Sequence, residues 1–261
     1  MYYESHDYEP LISYLMKRKY IDGLIVITYR LKKWYMKDGV PKDKILVAPD
    51  GVDLKMFYNI KLKSKEQARR ELGIPIDKKI ICYTGHLYEW KGVHILALSL
   101  RYLSNECICY FVGGTEEDIR KFRKFIKDNG ISNAIIVGYV SPSIVHEYLV
   151  ASDVVVLPNI RVGLSEFTSP LKLFEYMASR RPIVASDLPA IREILNEKNA
   201  VLVKPENPKS LAEGIQKVLN NDKLAIKIAI RAYRDILKYT WDKRAEKILK
   251  FIGILRGALS R

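Results

Sequence analysis

The chain reads as an α/β protein: a doubly wound parallel sheet preceded by the remnant of a smaller α/β unit. Three observations predict this. Six short apolar runs, at 80–84, 108–112, 135–137, 154–157, 183–185 and 201–203, are strand-sized and spaced by helix-length segments. Helical periodicity follows each run, at 93–103, 116–129, 142–151, 170–179, 188–195 and 208–220, with Thr115, Ser141, Ser169 and Asn207 standing where N-caps belong. Strand then helix, repeated without a hairpin signal, is the pattern of parallel strands joined by crossovers.

Taken in order, residues 1–8 read as a strand end running into a polar loop that carries His6, followed by a helix at about 10–19. A strand at 24–28, a helix at 30–38 stopped by Gly39 and Pro41, and a short apolar run at 44–48 complete the opening. Three strands and two helices offer a parallel sheet little core, so the first 49 residues must lean on another unit or be the tail of a missing piece. Pro49, Asp50, Gly51 and Asp53 form a turn-rich connector. Ser64 and Gln67 have capping-box spacing for a helix that ends at Gly73. After the six repeats, residues 223–261 are helical with a break near Thr240, where Thr240 or Asp242 can cap a last helix whose apolar face holds Ile248, Leu249, Phe251, Ile252 and Leu255.

The totals narrow the classes. With 261 residues, 48% of them hydrophobic, the chain can bury a sizeable core. No apolar run approaches the roughly 18 residues of a membrane span, and the tyrosine-rich, acid-bearing start is unlike a signal peptide. The expected location is cytoplasmic, with a membrane-peripheral site of action left open. A formal charge of +14 favours anionic partners: nucleic acid, a membrane face or a phosphorylated ligand. The lysines and arginines are spread over nearly every helix, which argues against dedicated nucleic-acid binding. Cys82, Cys107 and Cys109 fall in or beside strands without metal-ligand spacing and read as reduced core residues. Neither an Asp-x-Asp pair nor a His/Cys cluster suggests a bound metal, so no metal and no cofactor are expected.

Ligands of doubly wound sheets bind beyond the carboxyl ends of the strands. There the most informative stretch is 165–182, SEFTSPLKLFEYMASRRP. Ser169 is placed to cap a helix that starts at Pro170, with Leu171, Phe174 and Ala178 on an apolar stripe and Lys172, Glu175, Tyr176 and Ser179 opposite. A helix N-terminus with a lysine in its first turn suits a phosphate, and a carboxylate one turn deeper suits the two hydroxyls of a ribose. A capped amphipathic helix with a solvated Lys/Glu pair would carry the same residues. Context decides between them.

With these loops placed, the chain resembles the glycosyltransferases of family 4, which have the two-domain GT-B architecture with Rossmann-like domains and take sugars from nucleotide donors. The matching segments are ILVAPDGVDLKMF, YTGHLYEWKG, FVGGTEEDI, IIVGYVSPSIVHEYLVASDVVVLP, SPLKLFEYMASRRPIVASDLPAIREIL and TWDKRAEKILKFI, in the family's order over about residues 21–252. The resemblance implies that residues 1–49 are the end of an acceptor-binding N-terminal domain, that 50–240 are the nucleotide-sugar-binding domain and that 241–261 form a helix returning to the N-terminal part. A full enzyme of this kind would need roughly 100 more residues before Met1.

The resemblance also implies roles. Lys91, in the loop opened by Gly85, matches the lysine that holds the donor pyrophosphate, and His86 stands where the family often has arginine, which implies phosphate binding that is either weaker or shared with Lys172. Glu175 matches the second member of a glutamate pair. The first falls on Phe167, with Glu166 one residue away. Gly138, Tyr139 and Val140 match the loop that meets the base, and Gly113 with Gly114 allows close backbone approach. His6 matches an acceptor-side histidine, though as a loop residue it also reads as solvated. The expected function is retaining sugar transfer from a nucleotide sugar to an acceptor hydroxyl on a carbohydrate or lipid-linked acceptor. The expected catalytic set is Lys91, Lys172, Glu175 and His6, with Ser169 and Pro170 completing the donor site. The alternatives are a split nucleotide-sugar-binding module that needs a missing N-terminal domain or partner subunit, and a nucleotide-sugar epimerase.

Overall fold

The computed structural model describes residues 1–57, 63–162 and 169–259, with side chains to 254. The first strands and helices alternate as β1 (Tyr2–Ser5), α1 (Pro10–Lys17), β2 (Gly23–Val26), α2 (Tyr29–Lys37) and β3 (Ile45–Val47). They make a three-stranded parallel sheet in the order β1-β2-β3. Its small core gathers Leu24, Val26, Leu31 and Tyr35, each fully buried or nearly so.

After α3 (Lys65–Leu72) the repeats run β4 (Lys79–Thr84), α4 (Val93–Ser99), β5 (Cys107–Val112), α5 (Glu116–Asp128), β6 (Ala134–Gly138) and α6 (Pro142–Ala151). They continue with β7 (Val154–Leu157), α7 (Leu171–Ala178), β8 (Ile183–Ser186), α8 (Pro189–Arg192), β9 (Val201–Val203) and α9 (Pro208–Leu219), and close with α10 (Asp222–Ile236) and α11 (Trp241–Leu259). The six strands pair in parallel in the order β6-β5-β4-β7-β8-β9. The order reverses between β4 and β7, and the carboxyl ends of those two strands open the crevice where ligands of such sheets bind.

Both faces of the larger sheet are covered, so its strands are apolar on both sides. Ile80 and Cys82 of β4 join one core cluster while Ile81 and Tyr83 join the other, as alternation along a strand requires. The three cysteines are free and buried, and burial pushes the Cys82 thiol up to about 12. No helix among the described residues is long and apolar enough to cross a membrane.

Several local expectations are corrected. Ser141 makes no capping hydrogen bond and instead pairs its hydroxyl with that of Ser143 at 3.0 Å. Gln67 does not close a capping box, because its side chain turns to Glu71, although Ser64 caps α3 as expected. The segment 188–195 is helical only at Pro189–Arg192. Leu249 is exposed instead of joining an apolar face of α11, and the side chain of Leu255 lies outside the described residues. Thr115 with Asp118, Asn207 and Thr240 do cap their helices.

The two sheets meet along a narrow seam. The linker passes the start of α11, with Val52 N–H donating to Tyr239 O at 3.0 Å and a bridge from Val52 to Thr240. A Cβ on Gly51 would lie 2.9 Å from the Thr240 carbonyl carbon, so only glycine lets the two segments approach this closely. Helix α11 then packs on the small sheet: Tyr2 donates to Ile252 O at 3.3 Å, and Arg244 pairs with Glu4 at 2.7 Å. On the other side, Glu193 accepts from the Tyr29 and Arg30 backbone N–H groups at 2.6 and 2.8 Å, and a residue of the larger half thus satisfies the N-terminus of α2.

Candidate functional site

The carboxyl ends of both sheets face one cleft of about 1260 Å³. The larger half contributes the loop after β4 (Thr84, Gly85, His86, Lys91), the loop after β5 (Val112 to Glu116) and the loop after β6 (Tyr139, Val140, Pro142). The entrance of α7 adds Ser169, Pro170, Leu171, Lys172 and Glu175. The small sheet contributes His6 and Asp50, from the loops after β1 and β3, and Trp241 stands at the start of α11. The cleft thus collects Gly85, His86, Lys91, Gly113, Tyr139, Val140, Ser169, Pro170, Lys172, Glu175 and His6. Gly138 sits at the end of β6, where its carbonyl accepts from Gly113 N–H at 2.7 Å. Glu166 lies outside the described residues.

The floor is glycine because the backbones crowd. Gly85 (φ +110°) and Gly113 (φ +117°) adopt torsions that L-residues rarely take, and a Cβ on Gly113 would come within 2.6 Å of Gly85 O. A Cβ on Gly85 would lie 2.9 Å from the ammonium nitrogen of Lys172. Backbone and cation are therefore in direct contact.

Lys172 is the least expected feature of the site. Its Nζ is inaccessible and has no hydrogen-bond partner among the described residues; it lies against the Gly85 backbone and over the Tyr83 ring, 3.9 Å from the centroid. Burial pushes its pKa well below the usual lysine range, Lys91 pushes the same way, and Glu175 opposes them. Lys91 ends a single 3-10 turn, Glu89–Lys91, and its Nζ lies 3.6 Å over the Trp90 ring. Burial lowers it to about 8. Glu175 is raised by burial and lowered by Lys172. Two cations and one acid share this end of the cleft, where charge is costly unless a ligand compensates it.

The sequence reading of α7 needs correction. Pro170 has ψ 122° and is itself the N-cap, its carbonyl accepting from Leu173 N–H at 2.8 Å, and the helix starts at Leu171. Ser169 makes no cap; its hydroxyl is buried and has no hydrogen-bond partner among the described residues. Leu171 is 52% exposed at the cleft mouth, and Tyr176, expected on the polar face, is fully buried. Its hydroxyl accepts from Thr84 N–H at 2.9 Å and so ties α7 to the end of β4. His86 is an exposed ring stacked on Tyr88, with Nδ1 4.0 Å from Asp118. His6 is hydrogen-bonded through Nε2 to Glu4 at 2.8 Å.

Sequence reasoning missed Asp50, Trp241 and His146. Asp50 was read only as a turn residue, and no local pattern signals that the fold buries it. His146 looks like an amphipathic helix position, yet it is 2% exposed, packs against the Phe57 ring with the centroids 4.2 Å apart and lines the cleft.

Comparison with known proteins agrees with this architecture. The chain is 26% identical over 228 residues to the uncharacterized glycosyltransferase MJ1607 of Methanocaldococcus jannaschii, covering 85% of this chain and 57% of that one. Among solved structures it is similar to a glycosyltransferase from Rickettsia africae (TM-score 0.82, 18% identity, 97% of this chain and 70% of that one). It is also similar to Anabaena Alr3699/HepE in complex with UDP and glucose (TM-score 0.80, 16% identity, 97% and 71%). These neighbours are GT-B glycosyltransferases, and the fold is theirs. The chain spans about half the length of the curated relatives it matches. A family model described as glycosyl transferases group 1 matches residues 64–235, the stretch that carries every strand of the larger sheet, and the chain belongs to that family.

Proposed function

We propose that the cleft binds a nucleoside diphosphate sugar and that the chain is the donor-binding part of a retaining family 4 glycosyltransferase, passing the sugar to an acceptor hydroxyl. On this reading residues 50–240 are the donor domain, 1–49 the end of the acceptor-binding domain and 241–261 the helix that returns to it. One observation carries the proposal: the ammonium of Lys172 is buried without a hydrogen-bond partner among the described residues, beside a second cation, Lys91, and an acid, Glu175. A diphosphate supplies the missing counter-charge, and a ribose offers the hydroxyls that the acid can accept from.

Lys91 and Lys172 hold the diphosphate, helped by the first N–H groups of α7, at Leu171 and Lys172, which follow the Ser169–Pro170 entrance. Gly85 and Gly113 let it approach the backbone, and His86 lines the same edge as an exposed ring. Gly138, Tyr139 and Val140 meet the base. In transfer, negative charge develops on the leaving diphosphate, and cations already fixed in a water-poor site stabilise it without reorganising. The complexes of Anabaena HepE with UDP and with UDP-glucose support a nucleotide-sugar reading for a cleft of this fold.

Calorimetry with UDP, GDP and ADP tests the proposal on wild type, Glu175→Ala and Lys172→Met. At least one nucleotide binds wild type. Each variant loses roughly ten- to hundred-fold in affinity, the effect of losing hydrogen bonds to a charged group. Lys172→Met also gains thermal stability, because it removes a buried amine nitrogen that has no hydrogen-bond partner among the described residues. Unchanged affinity in Glu175→Ala rejects the ribose assignment, and no binding by wild type rejects the nucleotide reading.

A further inference from the structure

The small-sheet wall of the cleft holds a carboxylate, Asp50. Asp50 is only 6% exposed, lines the cleft and makes no hydrogen bond among the described residues. Its carboxylate oxygens open only into the cleft, where they are free to accept from a ligand, and the fold fixes them there. The neighbouring Val52 N–H is bonded to Tyr239 O, and Gly51 is pressed against the Thr240 backbone. Asp50 is therefore held in place by the passage of the chain on both sides.

Its surroundings are polar and aromatic. His6, also on the cleft wall, is held by Glu4, and Glu4 in turn is held by Arg244 of α11 at 2.7 Å. Burial raises the Asp50 carboxyl, His6 and Arg244 draw it down, and Glu4 raises it further. Trp241, 42% exposed, lines the same wall, with the Arg244 guanidinium 5.9 Å over one face of the ring. A fixed acceptor, an imidazole that can donate or accept and an indole edge together match a pyranose, which presents hydroxyls around its rim and C–H groups on its face. They do not match a phosphate, which a carboxylate repels.

We infer that Asp50 is a sugar-binding residue: with His6 and Trp241 it forms a hydroxyl-recognition subsite across the cleft from Lys91 and Lys172, accepting hydrogen bonds from a pyranose. The inference rests on the nucleotide-sugar reading above, and the pyranose is either the transferred sugar of the donor or the acceptor. Both present the same chemistry to Asp50.

The test uses the full chain with UDP, GDP, ADP and their glucose conjugates, on wild type, Asp50→Ala and Asp50→Asn. If wild type binds none of the six, the nucleotide reading falls and takes this inference with it. If the subsite holds the donor sugar, Asp50→Ala binds the free nucleotide as wild type does but loses ten-fold or more on the glucose conjugate. For an acceptor subsite, both nucleotide affinities stay unchanged. Saturation-transfer NMR with free glucose on the nucleotide-loaded protein then shows contact in wild type and none in Asp50→Ala. Should Asp50→Ala fail to fold by circular dichroism, Asp50→Asn, which keeps the shape, carries the same two readouts with an expected loss of three-fold or more. Wild-type behaviour in both readouts, for the folded variant, overturns the inference.

Discussion

Lys91 shows how one side chain ties the site to pH. Burial lowers its pKa to about 8 in the empty cleft, and a bound diphosphate would raise it again. Between those two values the complex holds a proton that the free protein lacks. Nucleotide diphosphate affinity is therefore expected to fall as pH rises above about 8, by up to roughly ten-fold per unit, with proton uptake on binding. Calorimetry in two buffers of different ionisation enthalpy checks this; equal heats and a flat affinity from neutral to alkaline pH would reject it. Folding responds in the opposite sense. The unfolded chain holds the Lys91 proton above pH 8 while the folded one loses it, so this group makes the unliganded protein more stable as pH rises through that window. Lys91, Lys172 and Glu175 were legible in the sequence as cleft residues because Lys91 lies in the loop after an apolar run and the other two share one face of the helix that a later such loop leads into. Asp50 was not, since its burial depends on a chain segment nearly two hundred residues away, and Ser169 misled because the extended ψ of Pro170 moves the helix start past it.

At the scale of elements, the strand-helix alternation was readable because apolar runs and 3.6-residue periodicity report burial directly. The α7 face was misjudged at Tyr176, where a phenol that looks amphipathic in sequence is fully buried under β4 and bonded to the Thr84 backbone. That bond brings α7 and the β4 loop together, and with them Lys172 and Gly85. Gly85→Ala tests the junction. The torsion of +110° is strained for alanine, and the new Cβ displaces the Lys172 ammonium. The expected result is a loss of about 1–3 kcal/mol in stability together with weaker nucleotide binding. Thermal unfolding and calorimetry read the two effects; a stability loss with unchanged affinity would separate the glycine from the cation.

The whole molecule is two parallel sheets whose carboxyl ends open toward each other. They are joined by the 50–52 and 239–241 crossing, by Arg244 on Glu4 and by Glu193 on the N-terminus of α2. Burial raises Glu4, but its bonds to Arg244 and His6 leave it lowered on balance, so this contribution to stability is present above the usual carboxylate range and fades as pH falls. Arg244→Ala is expected to cost about 1 kcal/mol, because the pair is partly exposed, and to speed amide exchange in β1 and β2 more than in β5. Uniform exchange across both sheets would count against a joint that acts locally. The sequence indicated that the opening leans on a larger unit, but it held no sign of where the load is carried, since Glu4, Gly51 and Glu193 become neighbours of their partners only through the fold.

The crossing at Gly51 and Thr240 has a mechanical consequence. Two covalent connections that run side by side act as a single pivot, so a swing of the halves about that line has to release the Glu193 contact with the N-terminus of α2. Any change in the gap between Asp50 and Lys172 must be taken up in the torsion angles of a handful of residues, and side-chain bulk at position 51 would jam that pivot.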